Sequence, residues 1–276
     1  MKNISYNIIK KLRKQTGVGI LDCKKEIIYT NGNIKKAIFN LRKKGIIKSE
    51  EKKIKKTYNG IILSGKKGNF CVLLEIKCQT DFVSKSKDFY QFGNNIIKYS
   101  TKNFCKNFNF IKKHFEEDRI ELLNRVNENI TINRYKYFIG KNIYNYVHCN
   151  RIGVIILAEN LNNSNSNSNS NDYVNEDVLK KISMHIIAKN PKYLNFDSIP
   201  KDVFKKEKEI QSELTKKLKK PNKFFNKIVK GKIKKSFSNI VLMTQNFVID
   251  EKKTIEQFSL ENNIIIKNFV RFEIGE

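Results

Sequence analysis

The chain has no tryptophan, three prolines and twelve glycines in 276 residues. Alanine is scarce as well, while lysine, asparagine and isoleucine are plentiful, the pattern expected where AT-rich codons accumulate throughout a genome. That bias lowers the weight of the formal net charge of +28. Lysine-rich surfaces gain affinity for polyanions by displacing counterions. Here, however, the lysines are spread along the whole length instead of gathering in one arm or stripe, so charge alone is a weak pointer to nucleic acid.

No run of about eighteen apolar residues is present, and no membrane partner is expected. Met1-Lys2-Asn3-Ile4 leads straight into an amphipathic segment, without the apolar stretch or small-residue cleavage site of a secretory signal. The five cysteines, Cys23, Cys71, Cys78, Cys105 and Cys149, are odd in number and lack C-x-x-C spacing. Neither a disulfide framework nor a zinc site is expected. A cytoplasmic, reducing location fits these absences.

Enzyme signatures are also missing. There is no G-x-x-x-x-G-K-[ST], no G-x-G-x-x-G and no H-E-x-x-H. Gly17-x-Gly19 lacks the preceding strand that a phosphate-binding loop requires. His114, His148 and His185 lie far apart. His185 shares a helix with Ile182 and Ile186 and reads as a hydrogen-bonded structural histidine. His148 closes a strand ahead of the turn Cys149-Asn150-Arg151 and is expected at the surface, available to a partner. A thiol enzyme using Cys78 or Cys149 is a poor reading, since no adjacent histidine or helix N-terminus clearly activates either thiol. The expectation is a protein that is not an enzyme, with no metal and no cofactor.

What is present is a sequence of helices and strands. Ile8, Ile9 and Leu12 predict a first helix, Cys23 and Ile27 a second, and Ile34, Ala37, Ile38 and Leu41 a third. Gly17-Val18-Gly19 and Asn31-Gly32 separate them, with Asn33 as N-cap and Gly45 as stop. Residues 1–47 form this helical module and 48–57 a charged linker. Residues 58–140 begin with strands Gly60 to Ser64 and Phe70 to Cys78, joined by the turn Gly65 to Asn69. Helices from Asp88 to Ser100 and Phe115 to Val126 follow, then strand Thr131 to Ile139. Residues 141–199 and 238–276 hold strands Ile143 to Val147 and Gly153 to Glu159, a helix Asn175 to Ala188, strand-like Phe247 to Asp250, a helix Thr254 to Asn262 and strand Ile264 to Ile274. The Ser/Asn alternation from Asn162 to Asn171 reads as a flexible loop. Residues 200–237, lysine-rich and divided by Pro221, read as an inserted αα-hairpin. The order predicts an α+β fold with an antiparallel core in two parts.

One segment stands apart. At the end of the apolar run Phe70 to Cys78, the chain continues Gln79-Thr80-Asp81-Phe82-Val83. Taken alone, this favours a buried Phe82 and an Asp81 that caps the next helix. The other reading is an apolar ring beside a carboxylate, presented to a partner.

These segments together resemble the translation elongation factor Ts family. Leu12-Arg13-Lys14-Gln15-Thr16-Gly17-Val18-Gly19-Ile20-Leu21-Asp22-Cys23-Lys24-Lys25 is similar to the family's N-terminal signature, and Glu75-Ile76-Lys77-Cys78-Gln79-Thr80-Asp81-Phe82-Val83 to its second. Glu128-Asn129-Ile130, Arg151-Ile152-Gly153-Val154, Met184-His185-Ile186-Ile187-Ala188 and the closing Phe269 to Glu276 follow in family order. The resemblance implies a ubiquitin-associated-like (UBA-like) three-helix module, a two-part α+β core and an inserted, coiled-coil-like hairpin. It implies a guanine-nucleotide exchange factor that binds elongation factor Tu in GDP-bound and nucleotide-free forms during protein biosynthesis. Thr80, Asp81, Phe82 and Val83 would dislodge the magnesium of elongation factor Tu, and Arg13, Ile20, Leu21, Lys24 and His148 would make further contacts. The family's C-terminal helical segment beyond Gly-Glu has no counterpart after Glu276, which implies a weaker grip. A homodimer through the hairpin is left open.

The rival reading is a basic RNA-binding or ribosome-associated protein. It is disfavoured because aromatics are not interleaved with the basic runs as a stacking platform requires. No specific nucleic acid is expected.

Overall fold

A computed structural model describes residues 6–41, 57–161, 174–217 and 225–276. Helix α1 (Tyr6–Thr16), α2 (Ile20–Tyr29) and a third helix, α3, over residues 34–41 close on Ile9, Leu12, Cys23, Ile27, Ala37 and Leu41. Asn31 and Gly32 take positive φ values of 51° and 86°, which releases the chain from α2, and the Asn33 side chain accepts the Lys36 amide at 3.0 Å to start α3. The expected stop at Gly45, the linker, the Ser/Asn tract and Pro221 all lie outside the described residues.

The core is two antiparallel sheets. Strands β1 (Asn59–Lys67), β2 (Phe70–Cys78) and β3 (Thr131–Ile139) form one in the order β1-β2-β3. The other is β4 (Asn142–His148), β5 (Ile152–Asn160) and β6 (Ile264–Glu273), in the order β4-β5-β6. Strand β2 explains why they stack. Its residues alternate between two apolar sets. Val72, Leu74 and Ile76 pack under helix α5 (Lys87–Lys102), while Cys71 and Leu73 join Ile62 against Ile143, Ile155 and Phe272 of the second sheet. Val154, Ile156 and Ala158, on the far face of β5, receive helix α8 (Glu176–Lys189) through Val178, Leu179 and Ile182. The layers therefore run helix, sheet, sheet, helix.

Two details set the sheet-to-sheet spacing. A Cβ on Gly153 would lie 2.5 Å from Ile62 Cγ2 and 2.7 Å from Leu73 Cδ1, so no larger residue fits there at this separation. Glu75, fully buried on the same face as Leu73, accepts from Arg134 Nε at 2.7 Å and Nη2 at 3.0 Å. The Arg134 guanidinium also donates to the Glu273 carbonyl at 2.7 Å and lies 4.5 Å from the centroid of the Phe272 ring. The buried charge is thus paired, as burial demands, and the pair ties the first sheet to the second.

The structure corrects several expectations. The first hairpin turn is two residues, Gly68 and Asn69, because Lys67 pairs with Phe70 and only Gly68, at φ 56°, must be left-handed. A helix, α6 (Phe108–His114), precedes α7 (Glu116–Val126), capped by the Asn107 side chain. Phe247 to Asp250 is not a strand: the Phe247 amide donates to the Lys253 carbonyl at 2.8 Å, and the Val248 amide to Nδ1 of His185 at 3.3 Å. The lysine-rich stretch forms α9 (Lys201–Lys217) and α10 (Phe225–Ser238), with Phe204 stacked on Phe237 at 6.0 Å. Helix α11 (Ile255–Glu261) starts from a reciprocal cap between Thr254 and Gln257.

Candidate functional site

Beyond Cys78, the last residue of β2, the chain turns into α4 (Asp81–Ser84), a single helical turn. Thr80, not Asp81, is its N-cap: the Thr80 hydroxyl accepts the Val83 amide at 3.4 Å. Asp81 occupies the first helical position, where a carboxylate faces the positive end of the turn. Residues in a helix step round by about 100° each, and this turn uses that step to send neighbours in opposite directions. Val83 is buried in the core of the first sheet. Phe82 is 82% exposed. The expectation from the isolated pattern, a Phe82 folded inward with Asp81 as cap, is thereby overturned.

An exposed phenylalanine on a single helical turn stays in place only if the turn is held from behind. Three hydrogen bonds do so. Asn59 Nδ2 donates to the Gln79 carbonyl at 2.8 Å, while the Thr80 amide and hydroxyl donate to the two carboxylate oxygens of Glu128 at 3.0 and 2.7 Å. The Cys78 thiol adds a contact to the Thr80 carbonyl at 3.1 Å. Glu128 and Asn59 were given no role from the sequence. Both act over a long chain separation, and the one local signal for Glu128 was its place in the Glu128-Asn129-Ile130 segment.

The Asp81 carboxylate points outward and pairs with Lys85 Nζ at 2.9 Å. That hydrogen bond, aided by amide donors of the turn, holds the carboxyl below the usual aspartate range. Beside it lies a cavity of about 710 Å³, whose lining includes Asn59, Asp81, Lys85, Tyr90, Asn150 and Arg151. The turn after β4 thus flanks the same space as the tip. His148, the last residue of β4, is exposed, and Cys149 and Asn150 are left-handed at φ 50° and 54°. The Asn150 carbonyl accepts the Ile62 amide at 2.8 Å, which fixes this turn to β1.

The remaining candidates lie on the N-terminal helices. Arg13 and Lys24 are exposed, Leu21 is 70% exposed, and Ile20 is half-buried against the helical core. Leu21, Lys24 and the also exposed Ile28 share one face of α2 by their i, i+3, i+7 spacing. Ile28 was missed, although its spacing from Leu21 was visible. The helical cluster meets the core where Gly17, at φ 68°, sits over Arg125, which pairs with Asp88 at 3.1 Å.

Among the described residues no group of three or more His, Cys, Asp or Glu is placed to hold a metal ion, and no helix is long and apolar enough to cross a membrane. Burial pushes the Cys71 and Cys78 thiols up to about 12. His185 is buried, bonded to Gln245 Oε1 at 2.9 Å, and burial lowers its pKa.

A sequence profile of the family described as Elongation factor TS matches residues 79–276. The protein is 42% identical over 276 residues to an Elongation factor Ts of Buchnera aphidicola subsp. Baizongia pistaciae, covering 100% of this chain and 99% of that one. It is 37% identical to that of Blochmanniella pennsylvanica, with 99% and 97% covered. The Elongation factor Ts of Cronobacter sakazakii is 34% identical, with 100% and 93% covered.

Proposed function

The chain belongs to the elongation factor Ts family and hence to the factors of translation elongation, and from that premise we propose that it is the guanine-nucleotide exchange factor of elongation factor Tu. It binds the GDP form, promotes GDP release and holds the nucleotide-free form, in the cytoplasm, without making or breaking a covalent bond.

The observation that carries this reading is the Phe82 ring, 82% exposed on a turn that Glu128 clamps through Thr80. A factor accelerates release only by binding the empty partner more tightly than the loaded one, and the coupling is reciprocal. Burying one phenylalanine supplies about 1.5–3 kcal/mol. If its pocket opens only when the nucleotide site is distorted, that energy favours the empty state by about tenfold to a hundredfold. Asp81 is the second part of the device. Magnesium demands oxygen ligands in strict octahedral geometry, and a carboxylate brought close reorganises its water shell. Asp81 is ionised at neutral pH as any exposed aspartate is, and its Lys85 partner lowers its pKa further. Thr80 and Val83 hold the turn, one by its cap and one by its burial.

Further contacts come from the exposed Arg13, Leu21 and Lys24, with Ile20 supporting them from below, and from the exposed His148, which precedes the turn flanking the cavity beside Asp81. On this reading residues 1–47 are the UBA-like module, 58–140 and 141–199 with 238–276 the two halves of the core, and 200–237 the inserted hairpin. The test is stopped-flow release of fluorescent GDP from elongation factor Tu. The protein accelerates release, and Asp81→Ala with Phe82→Ala abolishes most of the acceleration. Absence of acceleration, or an undiminished rate with the double variant, overturns the proposal.

A further inference from the structure

At the opposite end of β2 from the tip, the protein exposes a second set of rings, in a basic setting. Phe104 follows the end of α5 at φ 50°, a left-handed conformation that is an outlier for a bulky side chain. Two bonds fix it there, from the Asn103 amide to the Tyr99 carbonyl and from the Cys105 amide to the Ser100 carbonyl, both 3.0 Å. The ring is 51% exposed, with one edge on Phe70 at 5.6 Å and Lys67 Nζ 5.6 Å from its centroid. Nearby on α6, Phe110 is 49% exposed and extends a ladder of near-parallel rings: Phe110 on His114 at 5.9 Å and 16°, and His114 on Tyr99 at 4.2 Å and 24°. Lys112 Nζ lies 4.3 Å from the centroid of the Phe108 ring, and Phe108 stacks on Tyr135, whose hydroxyl donates to the Cys105 carbonyl at 2.7 Å. Phe104 therefore stands in the short segment that joins α5 to α6, and Phe110 on α6 itself, six residues further on.

The chain that carries these rings has charge of one sign. From Lys98 to His114 the chain carries five lysines and no acidic residue. Lys106, Lys112 and Lys113 are exposed. Here the expectation that aromatics and basic residues do not interleave fails, since Phe104, Lys106, Phe108, Phe110 and Lys112 are interspersed within nine residues. The α9–α10 pair, equally rich in lysine, does not repeat the pattern, because its Phe204 and Phe237 stack on each other.

We infer that this surface binds single-stranded RNA without sequence preference, with bases stacking on Phe104 and Phe110 and phosphates meeting Lys67, Lys106, Lys112 and Lys113. An acidic peptide would satisfy the lysines but has no use for two open rings, whereas every base has a π-face. The phosphates alone would bind any lysine cluster, so the rings are what make this site distinct.

The test is fluorescence anisotropy of the full chain with a labelled oligouridylate 12-mer, with GDP release measured on the same preparations. Phe104→Asn, chosen because asparagine tolerates left-handed backbone, and Phe110→Ala each weaken binding about tenfold with the salt dependence unchanged. Changing Lys106, Lys112 and Lys113 to Gln weakens binding and reduces the log-log salt slope by about 2. The matched triple change Lys205→Gln, Lys206→Gln and Lys208→Gln on α9 has little effect. The inference is overturned if the α9 triple weakens binding as much as the first, if the ring variants bind as the parent does, or if polyglutamate competes as well as unlabelled RNA.

Discussion

Strand β2 ends in an exposed phenylalanine region on either side: Phe82 just past Cys78, and Phe104 packed by its edge on Phe70. The strand's eight steps separate Phe70 from Cys78 by about 26 Å. At one end the ring stands beside the carboxylate of Asp81, on a turn held by the two oxygens of Glu128. At the other it stands beside Lys67, on a left-handed residue held by helix-end hydrogen bonds. The apolar contribution is alike at both ends. The neighbouring charge differs, an ion-paired carboxylate at the first and a lysine at the second, and on the proposed reading it selects the partner: a magnesium-bearing protein site for the first, a polyanion for the second. In each case the backbone is pinned where the ring emerges.

The comparison can be broken most forcefully at the tip. Phe82→Ala should reduce acceleration of GDP release by about tenfold to a hundredfold while leaving the melting temperature unchanged, because an exposed ring contributes little to the core. A matching fall in melting temperature would mean that Phe82 packs within the fold.

Prying the sheets apart should disturb both ends together. Gly153→Ala places a methyl 2.5 Å from Ile62 Cγ2, an overpacking that costs about 1–3 kcal/mol and lowers the melting temperature by several degrees in thermal unfolding. If stability is unchanged, the sheets do not touch as described.

Glu128→Ala sharpens the tip alone. It leaves the Thr80 amide and hydroxyl without their acceptor, a loss of about 1–2 kcal/mol. Exchange should fall by less than in Phe82→Ala, and Glu128→Gln, which keeps one acceptor oxygen, should recover part of it. Equal activity in all three proteins would remove Glu128 from any role in positioning.

The smallest effect concerns Asp81 and pH. Its carboxyl is depressed in the folded protein by Lys85, so its contribution is present above the ordinary aspartate pKa and disappears only as pH falls through the lower folded value. A carbon-detected NMR titration should place Asp81 below a free aspartate, and Lys85→Met should move it back up. No movement would show that Lys85 does not set it.

Much of this layout was legible because burial leaves periodic marks. Strand β2 announced itself by apolar residues on both faces, and the structure shows why both were needed: one face meets α5 and the other meets the second sheet. The cap at Asn33 and the helix break at Asn31-Gly32 were equally local signals. Phe247 to Asp250 misled because Phe247, Val248 and Ile249 look like a strand. Their backbone bonds instead go to Lys253 and the His185 ring, a choice made by tertiary contacts. Helix α6 was missed because its single buried residue, Ile111, gives no period to read. At the tip the residues were visible but their direction was not. Whether Phe82 points in or out depends on the Thr80–Glu128 clasp, which joins segments far apart in the chain, and periodicity carries no trace of it.

The central claim is that the two ends of β2 are separately addressed, and one crossed measurement tests it. GDP release from elongation factor Tu is followed with Phe82→Ala and with Phe104→Asn under identical conditions. The account predicts that Phe82→Ala loses the acceleration and Phe104→Asn retains it. Equal loss in both, or none in either, would contradict it.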